Sequence, residues 1–189
     1  MRKVVCVLAA MLLLATLGAK EGKEGKEAKS DDAAAKRAQI DDMAQQALDT
    51  LFAGNPDAKA LYEKSYGWAV FDNLKVAFLV SGGAGSGVAV PKDGKRTYMK
   101  MGTGGVGLGL GGQKYQVIFL FENADVFNGF VEKGWKAETG AQAAAGTEGA
   151  SVGAVFTKGM AIYQITEKGL MASADVSGTK YWKNEKLNK

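Results

Sequence analysis

Residues 102–112 read GTGGVGLGLGG, and the first six fit the spacing G-x-G-x-x-G, which in a strand–turn–helix cradles a pyrophosphate. That chemistry needs a helix directly after the glycines, so that free N–H groups face the phosphates. Here LGLGGQKYQVIFLF follows, and each glycine costs a helix about 1 kcal/mol relative to alanine. The segment reads as strand, so no nucleotide ligand is expected. A Walker loop fails too: Gly94-Lys95 is followed by Arg96, and Ala89 stands where the first glycine belongs.

Other chemistries are short of residues. The chain has no histidine and one cysteine, Cys6, which removes the usual general base, the thiolate nucleophile and the usual zinc ligands. Glu122, Asp125, Glu138 and Asp175 are the carboxylates nearest structured segments, and their spacing matches no acid–base pair. The reading is a non-enzymatic protein with no cofactor and no metal. A formal charge of +4 is too balanced to argue for nucleic acid, so no nucleic-acid partner is expected.

Cations that could hold an anion gather at one place. PKDGKR, residues 91–96, is a turn signal between two extended runs, and it carries Lys92, Lys95 and Arg96. Lys100 follows on the same strand face as Arg96. These four are the candidate lipid-binding residues, since a cation near an anionic membrane is worth about 1 kcal/mol. Trp135, Tyr181 and Trp182 fit either an interface or the core.

The elements that must position them read as follows. Arg2 and Lys3 precede the apolar run Val4–Leu17, too short for a span of about 20 residues and of secretory-signal length. Residues 1–19 are expected to be a cleaved signal, with the mature protein in the periplasm or cell envelope. Cleavage removes two cations and takes the charge from +4 to +2. KEGKEGKEAKS, residues 20–30, is a charged flexible linker. Residues 31–189 form a single domain ending in a polar, basic tail.

Ile40, Met43, Ala44, Ala47, Leu48, Leu51 and Phe52 make a helical stripe over roughly 32–53. Gly54-Asn55-Pro56 ends that helix and starts another over about 56–65. From Trp68 the period becomes extended, and 84–101 reads as a hairpin. QVIFLF is apolar on both faces and belongs at the centre of a sheet. Residues 124–134 fit a helix, and 135–156 form a small-residue segment with a strand at its end. AIYQIT and LMASADV make a second hairpin, with Gly169 in its turn. The fold class is α+β: N-terminal amphipathic helices, a strongly bent glycine-rich antiparallel sheet, and one further helix.

Within that sheet Gly105, Gly107, Gly109 and Gly111 alternate with Val106, Leu108 and Leu110, and Gly83, Gly85 and Gly87 repeat the habit. A strand bare on one face admits another backbone, a helix or an apolar ligand. It also bends readily, so a bulge or bend is expected near GTGG.

YGWAVFDNLKVAFLVSGGAGSGVAV, a turn, GTGGVGLGLGGQKYQVIFLFEN and the closing hairpin together resemble a SYLF domain, over roughly residues 30–185. The resemblance implies a phospholipid-binding module, of anionic-lipid or phosphoinositide type, with a membrane surface or a bound lipid as partner. Some members of that family bind actin. An exported chain does not meet cytoplasmic actin, so actin is not expected here. The alternative is a structural, outer-membrane-associated protein without headgroup specificity.

Overall fold

The computed structural model describes residues 31–137, 155–167, 169–171 and 178–189. The signal and linker readings of 1–30, together with Glu138 and Asp175, lie outside the described residues. Two compact units divide the chain, Met1–Ala38 and Gln39–Lys189. Of the first, residues 31–38 are described, and they are helical.

Helix α1 covers residues 31–54. Its stripe is the expected one: Ile40, Ala44, Ala47, Leu48 and Leu51 are buried. Helix α2, Pro56–Lys64, starts on Asn55, whose side chain accepts a hydrogen bond from the Ala58 N–H at 2.9 Å. This cap and the proline in the first turn satisfy or remove donors that a helix start leaves orphaned. Helix α3, Ala124–Lys133, is capped in the same way by Asn123. No described helix is long and apolar enough to cross a membrane.

Strands β1, Gly67–Pro91, and β2, Thr97–Phe121, are 25 residues each and pair antiparallel along their length. The hairpin is therefore much longer than the 84–101 expected. Of the small-residue segment, residues 135–137 and 155–156 are described: β3, Trp135–Lys136, lies at its start, and 155–156 are not in a strand. Strands β4, Met160–Thr166, and β5, Gly169–Met171, form the second hairpin. Strand β6, Thr179–Lys183, takes up the first part of the tail. Among the described residues the sheet has six strands. One side of β2 pairs with β1; it also pairs with β6 at Met99–Thr103 and with β4 at Tyr115–Phe121.

The hairpin folds back over itself. Register runs regularly from Gly67↔Phe121 to Phe78↔Leu110 and resumes at Val80↔Val106. Residue 79 of β1 thus faces residues 107–109 of β2, and extra residues on one strand bend it. The expected bulge is real, but it lies beyond GTGG, whose residues pair regularly with 81–84. Beyond the bend, a Cβ on Gly87 would strike the Val70 carbonyl oxygen and the Phe71 ring, and one on Gly85 would strike the Asp72 oxygen. At the open end, a Cβ on Gly67 would stand 2.8 Å from the Val90 oxygen. The three pairs 67/90, 70/87 and 72/85 are symmetric about residues 78 and 79. The bare face at Gly85 and Gly87 therefore serves the strand's own first half.

Alternate residues fill the inner face. Phe71, Met99, Met101, Phe119, Phe121 and Tyr181 are fully buried with Phe127 and Phe130 of α3. Tyr181 sits among rings at 4.7 Å from Phe71, 5.1 Å from Phe119 and 5.6 Å from Phe130. Val117 to Phe121 are all buried, as a central strand requires.

The end of the chain docks on the sheet. The Asn188 side chain accepts from the Tyr98 N–H at 2.9 Å and donates to the Tyr98 carbonyl at 2.7 Å, which imitates a strand partner. Replacing Asn188 with alanine is expected to cost about 2 kcal/mol, since each such bond is worth about 1. Urea denaturation of the two proteins measures it.

Candidate functional site

The β1–β2 turn is built by local bonds. The Gly94 N–H donates to the Pro91 carbonyl at 2.9 Å, and the Lys95 N–H to Asp93 Oδ1 at 3.2 Å. The Lys92 N–H donates to the Tyr66 carbonyl at 2.8 Å, which ties the turn to the start of β1. Gly94 has φ +81°, a region that side chains disfavour.

Of the four candidate cations, the structure brings Lys92, Lys95 and Arg96 onto this turn, all exposed. Neither lysine ammonium has a carboxylate partner at ion-pair distance among the described residues. Arg96 is different: its Nε lies 3.3 Å from Asp41 Oδ1. That oxygen has no hydrogen bond of proper geometry, so the contact is an ion pair only. With Arg96 half exposed, it is worth well under about 1 kcal/mol, which leaves the guanidinium available. Tyr98 Oη donates to Asp41 Oδ2 at 3.0 Å, on the face shared with Arg96. Lys100 stands apart from the turn, half-buried on β2 opposite Trp182.

Beside the turn lies an open cleft of about 350 Å³, with Tyr62, Tyr66 and Trp68 on one side and Val90, Pro91 and Lys92 on the other. This cleft is not legible in the sequence, because α2 and the two ends of β1 meet only after the hairpin folds over. The aromatic residues near the C-terminus separate by strand parity. Trp135 and Tyr181 face the aromatic core, 5.8 Å apart, whereas Trp182 is 38% exposed. Glu122 and Asp125 are exposed, and among the described residues no group of acidic side chains is arranged to hold a metal ion.

A family model described as "Ysc84: Las17-binding protein actin regulator" matches residues 102–189, from the GTGG of β2 to the end of the chain. The chain is also 47% identical over 152 residues, 80% of its length, to the "Beta cell expansion factor A" of Aeromonas veronii. It spans 58% of that protein's length. The family's own description as an actin regulator corrects the expectation that actin is an unlikely partner. That expectation rested on export through residues 1–19, which lie outside the described residues. Domains of that family are non-catalytic, and the match supports a general role in lipid association. Residues 102–189, from the GTGG of β2 onward, are thus similar to the SYLF (Ysc84) family.

Proposed function

We propose that the chain is an exported cell-envelope module that associates with anionic phospholipid, phosphoinositide-type headgroups included. In this reading Lys92, Lys95 and Arg96 at the β1–β2 turn, together with Lys100, contact the phosphates. The observation that carries it is the turn itself: two exposed lysines without acidic partners among the described residues, beside an aromatic-lined cleft. Such a tip brings cations to a surface while aromatic side chains supply an amphipathic edge.

Replacing both Lys92 and Lys95 with glutamine should weaken binding to phosphatidylserine vesicles by about tenfold or more, at about 1 kcal/mol per cation. Vesicle co-sedimentation measures it, with thermal melting as the folding control. Unchanged binding would remove the turn from the contact. The family description favours an actin-linked partner as the second reading. Co-sedimentation with filamentous actin, with the same lysine variant in parallel, tests it.

A further inference from the structure

A second cationic surface lies on the outer side of the sheet, away from the turn. Met99, Met101, Trp135 and Tyr181 point into the core, so the residues alternating with them point outward. Register then sets two rows across four strands. One row is Ala84, Gly102, Lys180 and Lys136; the next is Ser86, Lys100 and Trp182. Neighbouring strands are about 4.8 Å apart, so the first row spans about 14 Å. Three lysines from three separate strands thus surround one tryptophan.

Two features of this face argue for a partner. Lys136 and Lys180 stand directly opposite one another, both exposed, and like charges in that position destabilise a sheet. Among the described residues, no carboxylate lies at ion-pair distance from Lys100, Lys136 or Lys180, although nearby Lys183 is paired with Glu132 at 2.9 Å. The tryptophan is also seated to stay at the surface. A Cβ on Gly102 would lie 3.1 Å from Trp182 Cη2 and 3.4 Å from its Cζ3, so the indole lies across the strand at a position that any side chain would fill. Beyond it, Gly82 and Gly104 face each other with open space where their side chains would be.

We propose that the face formed by Lys100, Lys136, Lys180 and Trp182 lies against the headgroup layer of an anionic bilayer. This rests on the lipid-association reading and adds the surface that does it. Charge complementarity selects an anionic partner. The low relief of glycine, alanine and serine around one indole suits a flat layer, in which tryptophan takes the boundary between polar and apolar zones. Lysine stems can lie along the surface while their ammonium groups reach phosphate.

The test is co-sedimentation with phosphatidylserine–phosphatidylcholine vesicles of the unaltered chain, Lys136→Gln/Lys180→Gln, and Lys92→Gln/Lys95→Gln. Quenching of indole fluorescence by brominated lipid is measured in the unaltered chain and in Trp182→Phe. Removing like charges that face each other does not cost folding, and melting curves check it. The expected results are at least about tenfold weaker binding for Lys136→Gln/Lys180→Gln, and quenching that is largely lost in Trp182→Phe. Full-strength binding by that double variant, with the unaltered chain still bound, overturns this face and leaves the lipid reading standing. If the unaltered chain ignores the vesicles, both fall. Should the double variant lose binding to poly-glutamate but not to vesicles, the face docks an acidic polypeptide and the proposal is wrong.

Discussion

Replacing Gly87 with alanine is expected to lower the unfolding free energy by about 3 kcal/mol or more, whereas Gly82→Ala should change it by less than about 1. Both are glycines of the same strand, 5 residues apart, and both lie in the SGGAGSGVAV block. At Gly87 a methyl group would meet the Val70 carbonyl oxygen and the Phe71 ring, backbone and core that cannot move aside. At Gly82 it would meet nothing within 4 Å, and a strand gains slightly when glycine is replaced. Gly85 should behave as Gly87 does, since its neighbours are the Asp72 oxygen and the Met101 side chain. Urea denaturation of the three variants separates the two kinds of glycine. If Gly87→Ala were as stable as Gly82→Ala, the account of a hairpin folded upon itself would be wrong.

Tyr181 carries the second large effect, and it divides by atom. Its ring contacts Phe71, Phe119, Phe130 and Trp135, so Tyr181→Ala should cost about 4 kcal/mol through lost burial and a cavity. Its hydroxyl is buried without a hydrogen-bond partner. Tyr181→Phe keeps the ring and deletes an unsatisfied polar group, so stability at neutral pH should be unchanged or higher by about 1 kcal/mol.

The pH dependence follows from the same hydroxyl. Burial, and to a lesser extent Tyr115, pushes the Tyr181 phenol well above its ordinary value of 10.0. Above about pH 10 the unfolded chain releases this proton while the folded chain keeps it. Stability is thus fully present below pH 10 and declines as pH rises further. Tyr163 acts in the same direction, through burial and then the nearby Asp57. Tyr181→Phe should lose part of this alkaline sensitivity, and melting temperatures measured from neutral to alkaline pH would show it.

What the sequence revealed depended on the range of the interaction. The α1 stripe, the Asn55-Pro56 helix start, α3 and the Gly169 turn are written in residues a few positions apart, and all were legible. The length of β1 was not. WAVF and KVAFLV look like separate runs until β2 pairs with both, in a register unbroken from Gly67 to Phe78. The glycine alternation indicated a close approach and left open another backbone, a helix or an apolar ligand. What approaches Gly85 and Gly87 is a segment of the same strand some 13 to 17 residues earlier, and no local pattern shows that.

The site divides in the same way. PKDGKR announced a cationic turn, because turn chemistry is local. The pairing of Arg96 with Asp41 links residues that are 55 positions apart, and the sequence does not show it. Lys100, Lys136 and Lys180 become neighbours only through the register of β2, β6 and β3. In the sequence Lys136 and Lys180 are ordinary lysines, and Lys100 stands with the turn cations instead. Trp135 and Trp182 likewise looked alike until parity placed one against Phe119, with ring centres 5.7 Å apart, and left the other exposed.

The central functional claim is that cations on this folded sheet hold the protein to anionic lipid. It is tested most directly by vesicle co-sedimentation of the unaltered chain, varying phosphatidylserine content at fixed salt and then salt at fixed composition. Binding that rises with anionic content and falls steeply as added salt screens the lysines is the predicted result. Equal binding to neutral and anionic vesicles, indifferent to salt, would contradict it.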